Sequence, residues 1–187
     1  MIQPDIRDIS IIDALPNYLC NKIILDVGCG NGRIDRILAE MGYVVYATDY
    51  IIHSCWEDKE SLTFHTTDIF QPDSFPIQSS PIVICSEVLE HLIGYKKALV
   101  NLLALTQVRL IITVPFELSF NNTSPPPEGH CNYWSDSNDN GFKDIAEFIQ
   151  MCHPYSVSIS KIRTKPRDVQ MQQWGYLIIV DKRQKYQ

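Results

Sequence analysis

The stretch IILDVGCGNGRIDRIL, from Ile23 to Leu38, decides the fold. Ile23, Ile24, Leu25 and Val27 form a short apolar run of strand type, and Gly28, Gly30 and Gly32 then interrupt it in a tight rhythm. Ile34, Ile37 and Leu38 recur at helical spacing. This pattern predicts a buried parallel strand over about Lys22–Val27, a glycine loop, and a helix over about Gly32–Met41 that stops at Gly42. Glycines let a ligand lie against backbone with no Cβ between them, and a helix start offers free N–H groups to a polar ligand.

Outward from this stretch the chain alternates. YVVYAT, Tyr43–Thr48, predicts a second strand ending at Asp49, and Leu62–Thr67 a third, followed by Asp68 and Ile69. Between them, His53–Glu60 is charged, with Trp56 its one large apolar residue, and predicts an abbreviated helix. Gln71–Pro81 carries three prolines and three serines and predicts a surface loop. Ile82–Cys85 is short and wholly apolar, as a central parallel strand should be. The run SEVLEHL then predicts a helix capped by Ser86 and continuing to about Leu105, and Val108–Val114 predicts a fifth strand. Phe116–Asn140 is long, irregular and rich in Pro, Asn and Ser, which is the make-up of a lid or binding loop. A helix over Phe142–Met151 and two strands, Val157–Ile162 and Tyr176–Val180, complete the order. Residues 1–21 predict a short helix or irregular cover over the ligand entrance.

Composition bounds the function. The 187 residues are 45% hydrophobic and 20% charged, values of one ordinary globular domain spanning 1–187. A net charge of −6 and no basic block disfavour a large nucleic-acid footprint. Six scattered cysteines without a C-x-x-C pair predict a reduced, cytoplasmic protein without a disulfide framework. No stretch is long enough to span a bilayer, so no membrane partner is expected, and oligomeric state is not legible.

The glycine spacing departs from the G-x-G-x-x-G of dinucleotide folds, and Asp26 stands two residues before the first glycine. A carboxylate there would repel a pyrophosphate and suits a ligand bearing an ammonium group. DVGCGNG resembles the first motif of class I S-adenosylmethionine (SAM) methyltransferases. The resemblance implies a Rossmann-like α/β fold, with a seven-stranded, mostly parallel sheet and an antiparallel last strand. It implies SAM as cofactor: Asp26 toward the methionine end, Gly28, Cys29 and Gly30 against it, and Asp49 on both ribose hydroxyls. It further implies Tyr50 and Ile69 on the adenine faces, Asp68 at the adenine amino group, and Glu87 at cofactor or acceptor. The competing readings are a Gly-rich turn in another α/β protein, and ordinary strand-ending or capping roles for Asp49 and Asp68.

On the predicted helix, Glu87, Glu90 and His91 stand at i, i+3 and i+4 and would share one face. E-x-x-E-H resembles the metal-binding pattern of small-RNA 2′-O-methyltransferases and of ubiquinone-pathway O-methyltransferases. It implies a metal set of Glu87, Glu90, His91 and His130, holding Mg²⁺ or another divalent ion. Without a metal, His130 is the candidate general base, imidazole being the side chain suited to proton exchange near neutral pH, with Glu87 and His91 the other catalytic candidates. Phe116, Phe120, Tyr133 and Trp134 are candidates for an apolar acceptor pocket, or pack the loop onto the sheet. The leading expectation is O-methylation of a small molecule; RNA is the rival acceptor, and a non-catalytic SAM-binding subunit the alternative of another class. The absence of an N/D-P-P-aromatic signature after strand four, where CSEV stands, leans away from base N-methylation.

Overall fold

The computed structural model describes residues 3–116, 130–132, 134, 141–168 and 171–182, with backbone alone at 141–145, 164–168 and 171–174. Helices are α1 (Ile6–Asp13), α2 (Arg33–Glu40), α3 (Tyr95–Leu105) and α4 (Gly141–Met151). Strands are β1 (Ile23–Val27), β2 (Val44–Asp49), β3 (Leu62–Thr66), β4 (Ser80–Ser86), β5 (Thr106–Pro115), β6 (Ser156–Asp168) and β7 (Met171–Asp181). They form one seven-stranded sheet in the order β3-β2-β1-β4-β5-β7-β6. The first five run parallel, and β7 is antiparallel to both of its neighbours. This is the Rossmann-like α/β architecture that the alternating pattern predicts.

Burial follows from strand geometry. Successive residues of β1 face opposite layers, so Ile24 joins Ile34, Leu38, Ile82, Ile84 and Ile111 under α2. Leu25 and Val27 join Val83, Cys85, Leu99 and Leu102 under α3. Both faces of β1 and β4 are covered, which is why these strands read as continuous apolar runs. Chain order reverses between β1 and β4, and in open α/β sheets the crevice at the carboxyl ends of such strands is where ligands bind.

Two expectations are corrected. Between β2 and β3 the chain makes turns and no helix. The segment has too few periodic apolar residues to pack one, and Trp56 instead stacks on Phe64, ring centroids 5.2 Å apart. After β4, helix α3 begins at Tyr95 and not at Ser86. Glu87 takes φ of 58°, Leu89–His91 make one 3₁₀ turn, and Gly94 adopts φ of 87° before the helix starts. Leu89 and Leu92 lie three residues apart, a spacing that suits a 3₁₀ turn as well as an α-helix. Glu87, Glu90 and His91 therefore do not share a helical face. At the N-terminus, the predicted short helix is the two-turn helix α1, which starts from a reciprocal capping box between Asp5 and Asp8.

Candidate functional site

The glycine loop is stitched to the end of β2. Gly28 and Cys29 donate their N–H groups to the Thr48 carbonyl at 2.8 and 2.9 Å, and Gly30 N–H donates to Asp49 Oδ2 at 2.8 Å. Asp49 Oδ1 accepts from Ile51 N–H at 3.1 Å, so one carboxylate fixes both the loop and the turn after β2. From outside, Trp56 Nε1 donates to the Gly30 carbonyl and Arg36 to the carbonyls of Asn31 and Gly32. Gly28 has φ of +84°, and a Cβ built there would overlap Val88 Cγ2. Only glycine fits this close approach of the β1 loop to the turn after β4.

A cavity of about 340 Å³ opens at this place. Of the residues expected to hold the cofactor, Gly28, Asp49, Tyr50, Asp68 and Ile69 line it. Asp68 is fixed by accepting from Phe70 N–H and Gln71 Nε2, each at 2.9 Å, and the Ile69 carbonyl accepts from Asn101 of α3. Val27, Phe70, Val88 and Leu92 complete an apolar wall that the motifs alone did not indicate. Tyr50 is 75% exposed, free to close on a planar ring.

Three expected cofactor residues stand elsewhere. Asp26 is 2% exposed and faces Asp35 of α2, because it occupies the α2 side of β1 while Val27 occupies the cavity side. Burial first, and the Asp35 charge second, push its carboxyl well above the ordinary range. Cys29 is buried, which pushes its thiol up, and it does not line the cavity. Glu87 accepts from Thr113 Oγ1 at 3.0 Å and pairs with Arg7 of α1 at 3.1 Å. It lies outside the group of possible metal ligands that the structure assembles.

That group is Glu90, His91 and His130, with one ligand atom from each lying within 4.8 Å of the others. The rings of His91 and His130 meet edge to face at 4.7 Å. Backbone hydrogen bonds explain how residues forty apart come together. Cys131 and Asn132 donate their N–H groups to the Glu90 carbonyl, and Asn132 Nδ2 donates to the carbonyls of Leu89 and Leu92. Asn132 thereby holds the His130 segment on the 3₁₀ turn. Sequence reasoning missed Asn132, since a carboxamide that bonds backbone carbonyls leaves no spacing signature. Arg7 was missed as well; its only signal is a cation set between Asp5 and Asp8. Trp134 is buried against Tyr95, in core packing, and Phe116 packs edge to face on Tyr176. Phe120, Tyr133 and most of the expected lid, 117–129 and 135–140, lie outside the described residues.

Residues 25–107 match a family model described as a methyltransferase domain. No curated protein matches the sequence. Among solved structures, the methyltransferase domain of bacterial CtHen1-CN superposes with a TM-score of 0.67 at 15% identity, over 94% of this chain and 97% of that one. The 1,6-didemethyltoxoflavin-N1-methyltransferase of Burkholderia thailandensis, solved with bound 1,6-didemethyltoxoflavin and S-adenosylhomocysteine, gives a TM-score of 0.64 at 17% identity, over 85% of this chain and 70% of that one. Magnesium protoporphyrin IX methyltransferase of Synechocystis PCC 6803, solved with S-adenosylhomocysteine, gives 0.63 at 18%, over 95% and 80%.

Proposed function

We propose that the chain is a class I SAM-dependent methyltransferase and that it methylates an oxygen of a small-molecule acceptor. The observation that carries this reading is the Glu90–His91–His130 cluster, which Leu92 joins directly to the cavity wall. An in-line displacement at a sulfonium needs an aligned acceptor and, for a hydroxyl, a group that takes its proton. His130, next to His91, is that group in this reading. Asp49, Asp68 and Tyr50 hold the nucleoside end of SAM, and SAM supplies the reactive methyl group. The apolar lining contributed by Val88, Phe70 and Leu92 keeps water from the sulfonium and favours an aromatic or otherwise apolar acceptor.

The same cluster supports a second reading. One carboxylate and two imidazoles suit a borderline ion such as Mn²⁺, Co²⁺ or Zn²⁺ better than Mg²⁺, because Glu87, the second carboxylate of the expected set, is engaged by Arg7 and Thr113. When bound there, a divalent ion supplies Lewis-acid polarisation of an acceptor oxygen. An RNA 2′-hydroxyl would also fit this chemistry.

The test is mass spectrometry of small phenolic and hydroxylated metabolites incubated with SAM and the protein. A product heavier by about 14 Da, with the new methyl on oxygen, is expected. Methylation at nitrogen or carbon overturns the oxygen assignment. Adding chelator, then Mn²⁺, Co²⁺ or Zn²⁺, separates the two forms: unchanged turnover leaves His130 as the base, whereas loss and recovery place an ion on the cluster.

A further inference from the structure

The three glycines of the loop are not held in the same way. A Cβ on Gly28 would overlap Val88, and one on Gly32 would come within 2.5 Å of the Phe64 ring, so packing fixes both ends of the loop. Between them Gly30 has φ of +55°, and a Cβ built there would meet no atom beyond its chain neighbours within 4 Å. Hydrogen bonds take the place of packing at Gly30. Its N–H donates to Asp49 Oδ2 at 2.8 Å, and its carbonyl accepts from the Trp56 indole at 2.8 Å. The Cys29 thiol, a weak donor, stands 3.7 Å from the same oxygen. One of these bonds fixes the peptide before the Gly30 Cα and the other the peptide after it, so together they set both of its dihedrals. Trp56 is itself well placed. Half-buried, it stacks on Phe64 at 5.2 Å, and His53 tilts against it at 5.6 Å. Its backbone N–H donates to the His53 carbonyl, and Arg36 of α2 donates to the carbonyl of Cys55 just before it.

We propose that Trp56 is a positioning residue for cofactor binding, its indole N–H holding Gly30 in the ligand-ready shape before the ligand arrives. The inference rests on the SAM-binding reading above. Trp56 does not line the cavity; it acts through Gly30, which bonds Asp49, and Asp49 does line it. Glycine has the widest backbone freedom of any residue. A site that must first order such a residue binds with its affinity reduced by the fraction of molecules already in the competent shape. A hydrogen bond made before binding removes that cost. The same bond steadies Asp49, because a turn of Gly30 would withdraw the N–H that fixes Oδ2 and free the carboxylate to swing. The short segment between β2 and β3, which forms no helix, is on this account a brace set against the outer side of the loop.

Calorimetry with S-adenosylhomocysteine and hydrogen exchange of the ligand-free protein test the assignment. Trp56→Phe keeps a ring on Phe64 and removes the N–H. It should weaken S-adenosylhomocysteine by about three- to tenfold. Without ligand, it should speed exchange of the amides of residues 28–31 by a similar factor and leave those of β1 and β4 as in the wild type. Unchanged affinity in Trp56→Phe, whatever its melting temperature, overturns the proposal, since Trp56 would then only staple its own segment to the sheet. So does a loss of affinity with unchanged loop exchange, because the shape of the free loop would not be what was lost. One measurement needs no variant: if the wild-type amides of residues 28–31 exchange at the rate of an open chain without ligand, the loop is not held in advance and the proposal falls. The two failures are distinct. A wild-type protein that binds no S-adenosylhomocysteine sinks the SAM-binding reading, whereas equal binding by wild type and variant sinks the role of Trp56 alone.

Discussion

Under the glycine loop, Asp26 and Asp35 face each other at 2% and 0% exposure, with almost no water to solvate a charge on either. Burial pushes the Asp35 carboxyl up to about 7, and burial with the Asp35 charge raises Asp26 well above its ordinary range. Asp49 adds repulsion toward Asp26, Arg36 favours the ionised form of Asp35, and the Cys29 thiol stays protonated beside them. The pair therefore holds a proton in the folded state that the unfolded chain releases near pH 4. Because the folded state binds more protons across that window, this contribution to stability is complete at about pH 4 and declines as pH rises to about 7. Asp35→Asn replaces one of the two facing carboxyls with a neutral amide that takes up no proton in this range. It should flatten that decline and, near neutral pH, stabilise the protein by on the order of 2–4 kcal/mol. Urea melts of both proteins between about pH 4 and pH 8 measure this, and parallel pH profiles would contradict it. Asp26 was legible in the sequence as a chemically distinctive residue, but its direction was not. A strand places alternate residues on opposite faces, and which face meets the ligand depends on where the helices pack.

At the scale of elements, the strand–glycine–helix unit was legible because its three signals agree: an apolar run, closely spaced glycines and a helical period. The β2 end and the existence of two final strands were readable from apolar and β-branched runs, while their antiparallel pairing came from the family resemblance and their extension to Ser156–Asp168 and Met171–Asp181 was not legible. Nor was the turn after β4, since Leu89 and Leu92 satisfy two periods at once and nothing local announces the positive φ of Glu87. That turn is shaped by a tertiary contact, Val88 seated on Gly28. The α1 cover was legible only as a short helix, because its attachment depends on salt bridges to Arg33 and Glu87 that are distant in sequence. The contact between loop and turn makes a prediction at this scale. Gly28→Ala forces a side chain into a left-handed conformation and into Val88, and should destabilise the fold by about 2–4 kcal/mol. Adding Val88→Ala removes the steric part and leaves the backbone strain, so the double variant should recover about half of the loss. Denaturant melts of the single and double variants decide it. Full recovery would locate the cost in packing alone, and no recovery would separate the turn from the loop.

At the scale of the whole molecule, the net charge of −6 bears on the acceptor proposed above. Sixteen basic residues stand against twenty-two acidic ones. Asp49, Asp68, Glu87 and Glu90 stand after the carboxyl ends of the parallel strands, and among the described residues Arg7 and Arg33 are engaged in ion pairs with acids. No helix among the described residues is long and apolar enough to cross a membrane. RNA approaches as a line of phosphates, and its affinity comes largely from cations that displace the counterions of that line. A mouth whose arginines are already neutralised has little to offer such a ligand, while a compact, uncharged or cationic acceptor meets no repulsion there. Single-stranded RNA should therefore show no saturable binding at about 10 μM protein, even at low ionic strength where such attraction is strongest. Fluorescence anisotropy of a labelled oligonucleotide, titrated at two salt concentrations in the presence of S-adenosylhomocysteine, reads this out. Tight binding that falls steeply with salt would require a basic track along the phosphates and would move the 2′-hydroxyl reading ahead of the small-molecule one. Flat anisotropy alongside calorimetric binding of S-adenosylhomocysteine leaves a cofactor site whose acceptor is selected by apolar shape and the Glu90–His91–His130 cluster, with phosphate attraction playing no part.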